Sequence, residues 1–395
     1  MRNISLFLGK IIIYLLITLI GLLILHYLTC PVFEFAEPAP FSGRHLYNPY
    51  QNIDSMVWRK GNFQVQSKAW GGITDGRKNS NELIYDVYKQ LGYDIIAISD
   101  YQKINTFGSA QPGYLPVYEH GWGIEKNHHV VIGARNVIWN DYPLFQNLHH
   151  KQHILNMLRE SSELVYIAHP NFTKNYPAEE MKWLSGYTGI EVLNGFRRSV
   201  GHWDTALSAG RYVTILANDD AHDVSNPDEV GQFCTFIHSP GMISGEIIQS
   251  MKRGSCYGAD IPRPLGETME QKALRHERLP KLQGVRLKAD TLFVEVDSTA
   301  AEFRFIGQGG IVRTRLANTS AAVYVIQPSD TYIRTEVAYP DGTTLYLNPV
   351  ARYDENIPSN PPAFSVDQQT TWLRRGLTLS GLILLWFLYR KRRSS

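Results

Sequence analysis

Two uninterrupted apolar runs frame the chain. Residues 11–30 read IIIYLLITLIGLLILHYLTC, without an Asp, Glu, Lys or Arg. At ~1.5 Å per residue, a helix of this length crosses a ~30 Å hydrocarbon core. A cleaved signal peptide is the alternative, although no small-x-small site follows the run. A lipid-modified Cys30 is a third possibility, but YLTC lacks small residues before the cysteine. Near the other end GLTLSGLILLWFLY (376–389) lies between Arg374-Arg375 and a basic run at 390–393. It is short for a span, and snorkelling arginines would lengthen it. The alternative is an interfacial or buried helix.

Between the runs the hydrophobic period changes twice. Residues 31–53 are rich in Pro, Gly and Asn and read as a linker. Then short apolar stretches alternate with helical spacing. FQVQ (63–66), DIIAIS (94–99), YLPVY (114–118), VVIGA (130–134), LVYIA (164–168), GIEVL (189–193) and YVTILA (212–217) read as strands. Residues 79–91 read as a helix opened by an Asn79/Glu82 capping box, with further helices near 149–159 and 203–209. FCTFI and ISGEIIQSMKRG close the series. Strands alternating with helices predict a parallel sheet, either a (β/α) barrel or an open doubly wound sheet. After Gly266 a charged connector leads to period-two alternation at 291–297, 302–306, 311–316, 321–326, 332–339 and 344–347, which predicts a small antiparallel β-sandwich.

The predicted organisation is an N-terminal tail (1–10), a transmembrane helix (11–30), a linker (31–57), a barrel domain (58–265), a connector (266–284), a sandwich (285–352), a second linker (353–371), a second transmembrane helix (372–389) and a basic tail (390–395). Arg2 and Lys10 precede the first span, Glu34 and Glu37 follow it, and the basic run follows the second. By the positive-inside rule both termini are cytoplasmic, with residues 31–371 outside, as in a bacterial inner-membrane protein.

Composition narrows the function. The 395 residues carry a net charge of +2, so no global field attracts nucleic acid, and no basic aromatic groove stands out. Three cysteines make no disulfide framework; Cys234 and Cys256 are buried thiols or one bridge. The informative positions are those following each apolar run. They hold Gln64, Gln66 and Asp75; Asp100 and Tyr101; Glu119 and His120; His169; Asn194, just past Glu191; and Asp219, Asp220 and His222. His128 and His129 precede a strand. Strand ends in such sheets converge on one mouth, and this set suits a borderline divalent metal such as Zn, Mn or Fe. His149 and His153, one helical turn apart, have no evident third ligand and read as an exposed helix face.

The segments TDG (74–76), LGYDIIAISD (91–100), VYEHG (117–121), HHVVIG (128–133), IAHP (167–170), IEVLNG (190–195) and DDAHD (219–223) together resemble the polymerase and histidinol phosphatase (PHP) family of metal-dependent phosphoesterases. The resemblance covers about 63–258 and implies a PHP-like distorted (β/α)7 barrel and hydrolysis of a phosphoester. It implies metal ligands at Glu119, one of His128 and His129 (His129 being nearer the strand), His169, Asp220 and His222, with Asp75 as a further candidate. Asp220 and His222 are then also the catalytic proton carriers. Three positions depart from the family pattern: Gln64 and Gln66 stand where it has H-x-H, and Tyr101 where it has the His of D-H. A glutamine amide is a weak neutral ligand, so one or two ions are expected rather than three. Arg197, Arg198, Lys68 and Asn194 are candidates to hold a small or envelope phosphoester. The competing reading is a ligand-binding or scaffold module without catalysis, with Gln64, Gln66, Tyr101 and Trp70 lining a neutral pocket. A third makes the sandwich an interaction domain for an unidentified protein.

Overall fold

The computed structural model describes residues 2–51, 53, 57–173 and 176–394. Helix α1 (Arg2–Thr29) leads into short strands β1 (Phe33–Phe35) and β2 (His45–Tyr47). Then come β3 (Trp58–Asn62), α2 (Asn81–Gln90), β4 (Ile95–Ile96), β5 (Val117–His120), β6 (His129–Ile132), α3 (Leu148–Ser161), β7 (Leu164–Ile167), β8 (Gly189–Asn194), α4 (Val200–Ser208) and β9 (Thr214–Asn218). β10 (Phe233–His238), α5 (Ser244–Arg253), β11 (Cys256–Asp260), α6 (Met269–Glu277) and β12 (Leu282–Lys288) follow. The chain ends with β13 (Thr291–Gly307), β14 (Ile311–Val325), β15 (Tyr332–Ala338), β16 (Thr344–Leu347), β17 (Val350–Tyr353), β18 (Phe364–Val366) and α7 (Gln368–Ser394).

The architecture is mixed α/β, but the sheets are not uniformly parallel as the sequence predicts. β5–β6 and β6–β7 are antiparallel, whereas β7–β8, β8–β9 and β3–β4 are parallel. The segment 121–128 is too short for a crossover, so β6 returns antiparallel. Isolated bridges link Tyr101 to Glu119 and Val65 to Ala221. Backbone bonds Gln102 N→Glu119 O (2.9 Å), Gln66 N→Ala221 O (3.1 Å) and Asp220 N→Gln64 O (3.0 Å) reinforce them. FQVQ is therefore an extended continuation of β3 joined to the end of β9, and the strand-to-strand path from β3 through β4 to β9 returns to β3. Val117, Val130, Tyr166 and Leu216, from four of its strands, share one buried cluster with Phe63.

Local chemistry explains the helix ends. The cap of α2 is Ser80, whose side chain accepts from Leu83 N, and not Asn79 as the sequence predicts. Asn79 is buried and bonds Gln66 O, His222 O and Val224 N, tying two strand-end loops together. α5 stops at Gly254, whose φ of 86° is the left-handed conformation that glycine adopts at a helix C-terminus. The predicted connector contains α6, opened by a Thr268/Gln271 capping box.

The predicted sandwich departs most from expectation. Its six short stretches become four strands, and DSTA and NTS are absorbed into β13 and β14, with a register shift between Glu295 and Ala300. Turn-forming residues here make a bulge and not a break. β16 pairs with β11, so these strands continue the sheet that holds β10, β3 and β4. Nor are the two predicted linkers free chain: β1 pairs with β18 and β2 with β17. All three cysteines are free and buried.

α4 is bound to the C-terminal strands by a buried ion pair. Arg334 donates to Asp204 through Nε (2.6 Å) and Nη2 (2.8 Å), and to Glu336 through Nη1 (2.5 Å). Removing one partner leaves an uncompensated buried charge. Asp204→Ala should lower the unfolding free energy by ~3–5 kcal/mol in denaturant titrations, while Asp204→Ala combined with Arg334→Met should recover much of the loss.

Candidate metal centre

Glu119 lies two residues beyond Val117 on β5, and His128 two residues before Val130 on β6. Since Glu119 pairs with Val130, all four share one face of the sheet. The buried cluster below Val117 and Val130 is the floor, and Glu119 and His128 stand on it. His169 follows β7 and Asp220 follows β9, with φ of 28° and 53°. Left-handed backbone at non-glycine residues is strained and collects at functional sites. Here it turns both side chains towards Glu119.

His128 Nδ1 lies 2.7 Å from Glu119 Oε1, and His169 Nε2 lies 3.5 Å from the same oxygen and 3.9 Å from Asp220 Oδ2. Ligand atoms of Glu119, His128 and His169 all fall within 4.8 Å of one another, and the three residues are buried. Although so close, His128 Nδ1 and Glu119 Oε1 form no aligned hydrogen bond, and Asp220 Oδ1 is buried without a partner. Lone pairs that converge on a point and not on each other fit a bound cation. Two imidazoles and a carboxylate, with Asp220 adjacent, suit a divalent metal with an open position.

Surrounding groups fix the orientation. Gln66 Nε2 donates to Glu119 Oε2 at 2.6 Å. Glu191 accepts from His169 N (2.9 Å), Asn194 Nδ2 (2.9 Å) and Asn218 Nδ2 (2.7 Å). Asn194 Nδ2 also reaches Asp220 Oδ2 at 3.1 Å, so Asn194 positions acids and is not directed at a substrate. Burial alone would raise the Glu119 pKa, but His128 and His169 outweigh it and hold the carboxyl below its usual range. Burial opposes charge on His169 too, but Glu119, Asp220 and Glu191 raise it to about 9. Glu191 is raised to about 8 by burial and by Asp220, and Asp220 is raised by burial and by Glu119.

The structure sorts the sequence candidates. His128, not His129, joins the cluster. His129 pairs with His120 on the other face and bonds Tyr176 Oη at 3.0 Å. The alternation of the antiparallel pair carries this signal, whereas proximity to the strand does not. Arg198 grips Asp260 through Nε (2.5 Å) and Nη2 (2.9 Å) and is not free for a phosphate. Arg197 and Lys68 are exposed, and Arg197 bonds Phe196 O. The Tyr101 ring lies 5.4 Å from that of His128. Gln64 is buried with both amide atoms unpartnered. Asp75 begins the turn Asp75–Lys78, and its side chain lies outside the described residues. His222 stands apart from the ligand cluster. Its Nδ1 bonds Asp220 O at 2.8 Å, and it faces a cavity of about 470 Å³ lined also by Phe196, Asp220, Glu229 and Arg263. Sequence reasoning passed over Arg263, which no strand-end pattern marks. His149 Nδ1 accepts from Phe33 N, and His153 Nδ1 bonds Tyr142 Oη; both are structural.

No family model matches the chain, and no curated protein matches it. Among solved structures it is similar to a two-domain protein containing a predicted PHP-like metal-dependent phosphoesterase from Bacteroides vulgatus, at 14% identity and a TM-score of 0.37, over 78% of this chain and 100% of that one.

His128→Ala should weaken divalent-metal binding by more than ~100-fold, whereas His129→Gln should leave it near the parent value in equilibrium dialysis. Metal must displace the proton that His169 carries below its pKa of about 9. Affinity should therefore rise with pH by up to ~10-fold per unit and level off near that value, as titration calorimetry across buffers would show.

Proposed function

We propose that this chain is a membrane-anchored, PHP-like metal-dependent phosphoesterase acting outside the cytoplasm on a small or envelope phosphoester. The observation that carries the reading is the convergence of Glu119, His128 and His169 beside Asp220. We read the closed strand path as a distorted seven-stranded barrel with the cluster around Val117 and Val130 inside it. A Zn, Mn or Fe ion held by these residues would polarise a phosphoryl oxygen and bring a bound water towards deprotonation near neutral pH.

The remaining work falls to the chain. Gln66 holds the Glu119 carboxylate in place through its far oxygen. Asp220 has a free buried oxygen and a raised pKa, which suits it to accept a proton from the attacking water. His222 is oriented by its bond to Asp220 O and lines the cavity, where it would return a proton to the leaving oxygen. Arg263, in place of Arg198, is the cation that lines this cavity and would meet the phosphate.

The anchor reading draws on the end of α1. Among the described residues one helical segment, Phe7–Thr29, is long and apolar enough to cross a membrane; α7 does not reach that measure, its apolar stretch being cut short by arginines at both ends. A cleaved leader is disfavoured because the last turn of α1 is built into the protein. Cys30 is fully buried, His26 Nε2 bonds Asp141 O at 2.7 Å, and Arg375 of α7 donates to Leu28 O (2.8 Å) and Thr29 O (3.0 Å). A buried Cys30 also disfavours lipid modification there. α7 starts against the end of α1 through these Arg375 bonds.

The test is metal content by mass spectrometry on the full chain purified without chelators, with turnover of a generic phosphoester. We expect at least one equivalent of Mn, Fe or Zn, lost in His169→Ala, and turnover reduced by ~10²–10⁴ in Asp220→Asn. Metal without turnover would favour the second reading, a binding module, which Gln66 beside Glu119 and the unpartnered amide of Gln64 support. No metal in the parent would overturn the metallohydrolase.

A further inference from the structure

A stripe of exposed apolar side chains runs from the metal ligands to the end of α1. Trp70, Trp122 and Trp139 are 45%, 52% and 57% exposed, and Leu144 and Phe145 are 47% and 54% exposed. The stripe is continuous. The Trp70 indole donates to Tyr101 O at 2.7 Å, and the Tyr101 ring lies beside His128. Trp70 and Trp139 meet edge to face at 5.8 Å, and Trp122 Nε1 donates to Trp139 O at 3.0 Å. Ile124, 74% exposed, is joined through its backbone N to Pro143 O, next to Leu144. Leu144 N and Phe145 N then both donate to the hydroxyl of Tyr27, in the last turn of α1, at 2.9 and 3.1 Å.

Isolated apolar side chains on a surface need no explanation, but a contiguous stripe does. Its partner follows from where it ends. Leu144 and Phe145 pack on α1 where that helix leaves the body, so they stand at the level where α1 enters a bilayer. Tryptophans are enriched at that interfacial depth, where the ring is apolar and the indole N–H finds a polar partner. Each of the Trp70 and Trp122 N–H groups already has a carbonyl partner, leaving the ring faces for lipid.

We propose that this stripe rests in the interfacial layer of the membrane that α1 spans, and that the metal site consequently takes its substrate from that layer: a phosphoester whose head group emerges from a lipid. Trp70 and Tyr101 then form the rim across which the head group passes to His128. This rests on the phosphoesterase and anchor readings above and names the class of substrate for that site.

The test uses the full chain in nanodiscs of phosphatidylethanolamine and phosphatidylglycerol, with and without bromine near the top of the acyl chains. The chain has 8 tryptophans, so the readout is the difference between the parent and Trp122→Phe with Trp139→Phe. Brominated lipid should quench the fluorescence lost in the double variant, and aqueous iodide should not. Quenching by iodide alone would overturn the proposal, since the stripe would then face water. Quenching by neither would overturn it in favour of a second copy or another protein covering the stripe. Activity gives an independent readout. Trp122→Ser with Trp139→Ser should lower turnover of a diacyl phosphoester in the disc by ~10-fold and leave a soluble aryl phosphate unchanged, and tyrosine at both positions should restore it. Equal loss on both substrates would overturn lipid delivery. Absence of turnover on either in the parent would reject the catalytic reading, and the quenching data would still decide whether the surface meets lipid.

Discussion

A carboxylate without solvent contact must be compensated by its neighbours, and Glu119 imposes that condition on the whole site. It is fully buried at the end of β5, with Val117 beneath it, so water cannot neutralise it. The compensation comes from three directions: His128 across the antiparallel pair, His169 from the end of β7 and the Gln66 amide from the segment after β3. Bringing these together requires the bridges that join Tyr101 to Glu119 and Val65 to Ala221. The electrostatics of one acid and the closure of the strand path are thus the same constraint. Asn79 reinforces it by holding the Gln66 and His222 loops to each other.

The elements were more legible in the sequence than their partners. Every apolar run from DIIAIS to YVTILA overlaps a strand, and the strand-end residues Glu119, His169 and Asp220 do meet. Hydrophobic period reports whether a segment is buried, and the residue after it marks a strand end; neither depends on the neighbouring strand. What depended on pairing was lost. Choosing between His128 and His129 requires the register of β5 against β6, which a single run does not encode. Arg198 resembled a phosphate clamp because its partner Asp260 lies on β11, far along the chain. Asn79 resembled a cap because it precedes α2, yet its three bonds reach other loops. The sequence alternation breaks at 298–301 and at NTS because bulges and turns use the same residue types.

The end of α1 and the Glu119 site share a physical path. α1 ends with Tyr27 among Tyr142, Phe145 and His150, and Cys30 closes into the core. Arg374 and Arg375 satisfy the carbonyls that the end of α1 leaves open, the groups every helix C-terminus must satisfy. Asp141 receives the Trp122 and Gly123 amides through one carboxylate oxygen, while its backbone carbonyl receives His26. One residue therefore ties the aromatic stripe to the helix. These contacts fix the last turn of α1 relative to the stripe and to the Glu119 site.

The two glutamines bear on how much charge such a site can hold. Glu119, Glu191 and Asp220 are three buried acids: Glu191 and Asp220 share the Asn194 amide, and Glu119 lies 3.5 Å from the His169 ring nitrogen. Burial pushes Glu191 and Asp220 towards neutrality, and the proton on His169 balances Glu119. Imidazoles at positions 64 and 66 would add ligands for further ions. Amides add none of comparable strength, and Gln66 spends its donor on Glu119. A divalent ion held by Glu119, His128 and His169 would take the place of the His169 proton in offsetting the Glu119 charge. A second ion would require donors that Gln64, with its unpartnered amide, offers only weakly. Gln66 is thus committed to Glu119, while the Gln64 amide stays buried and unpartnered beside the site.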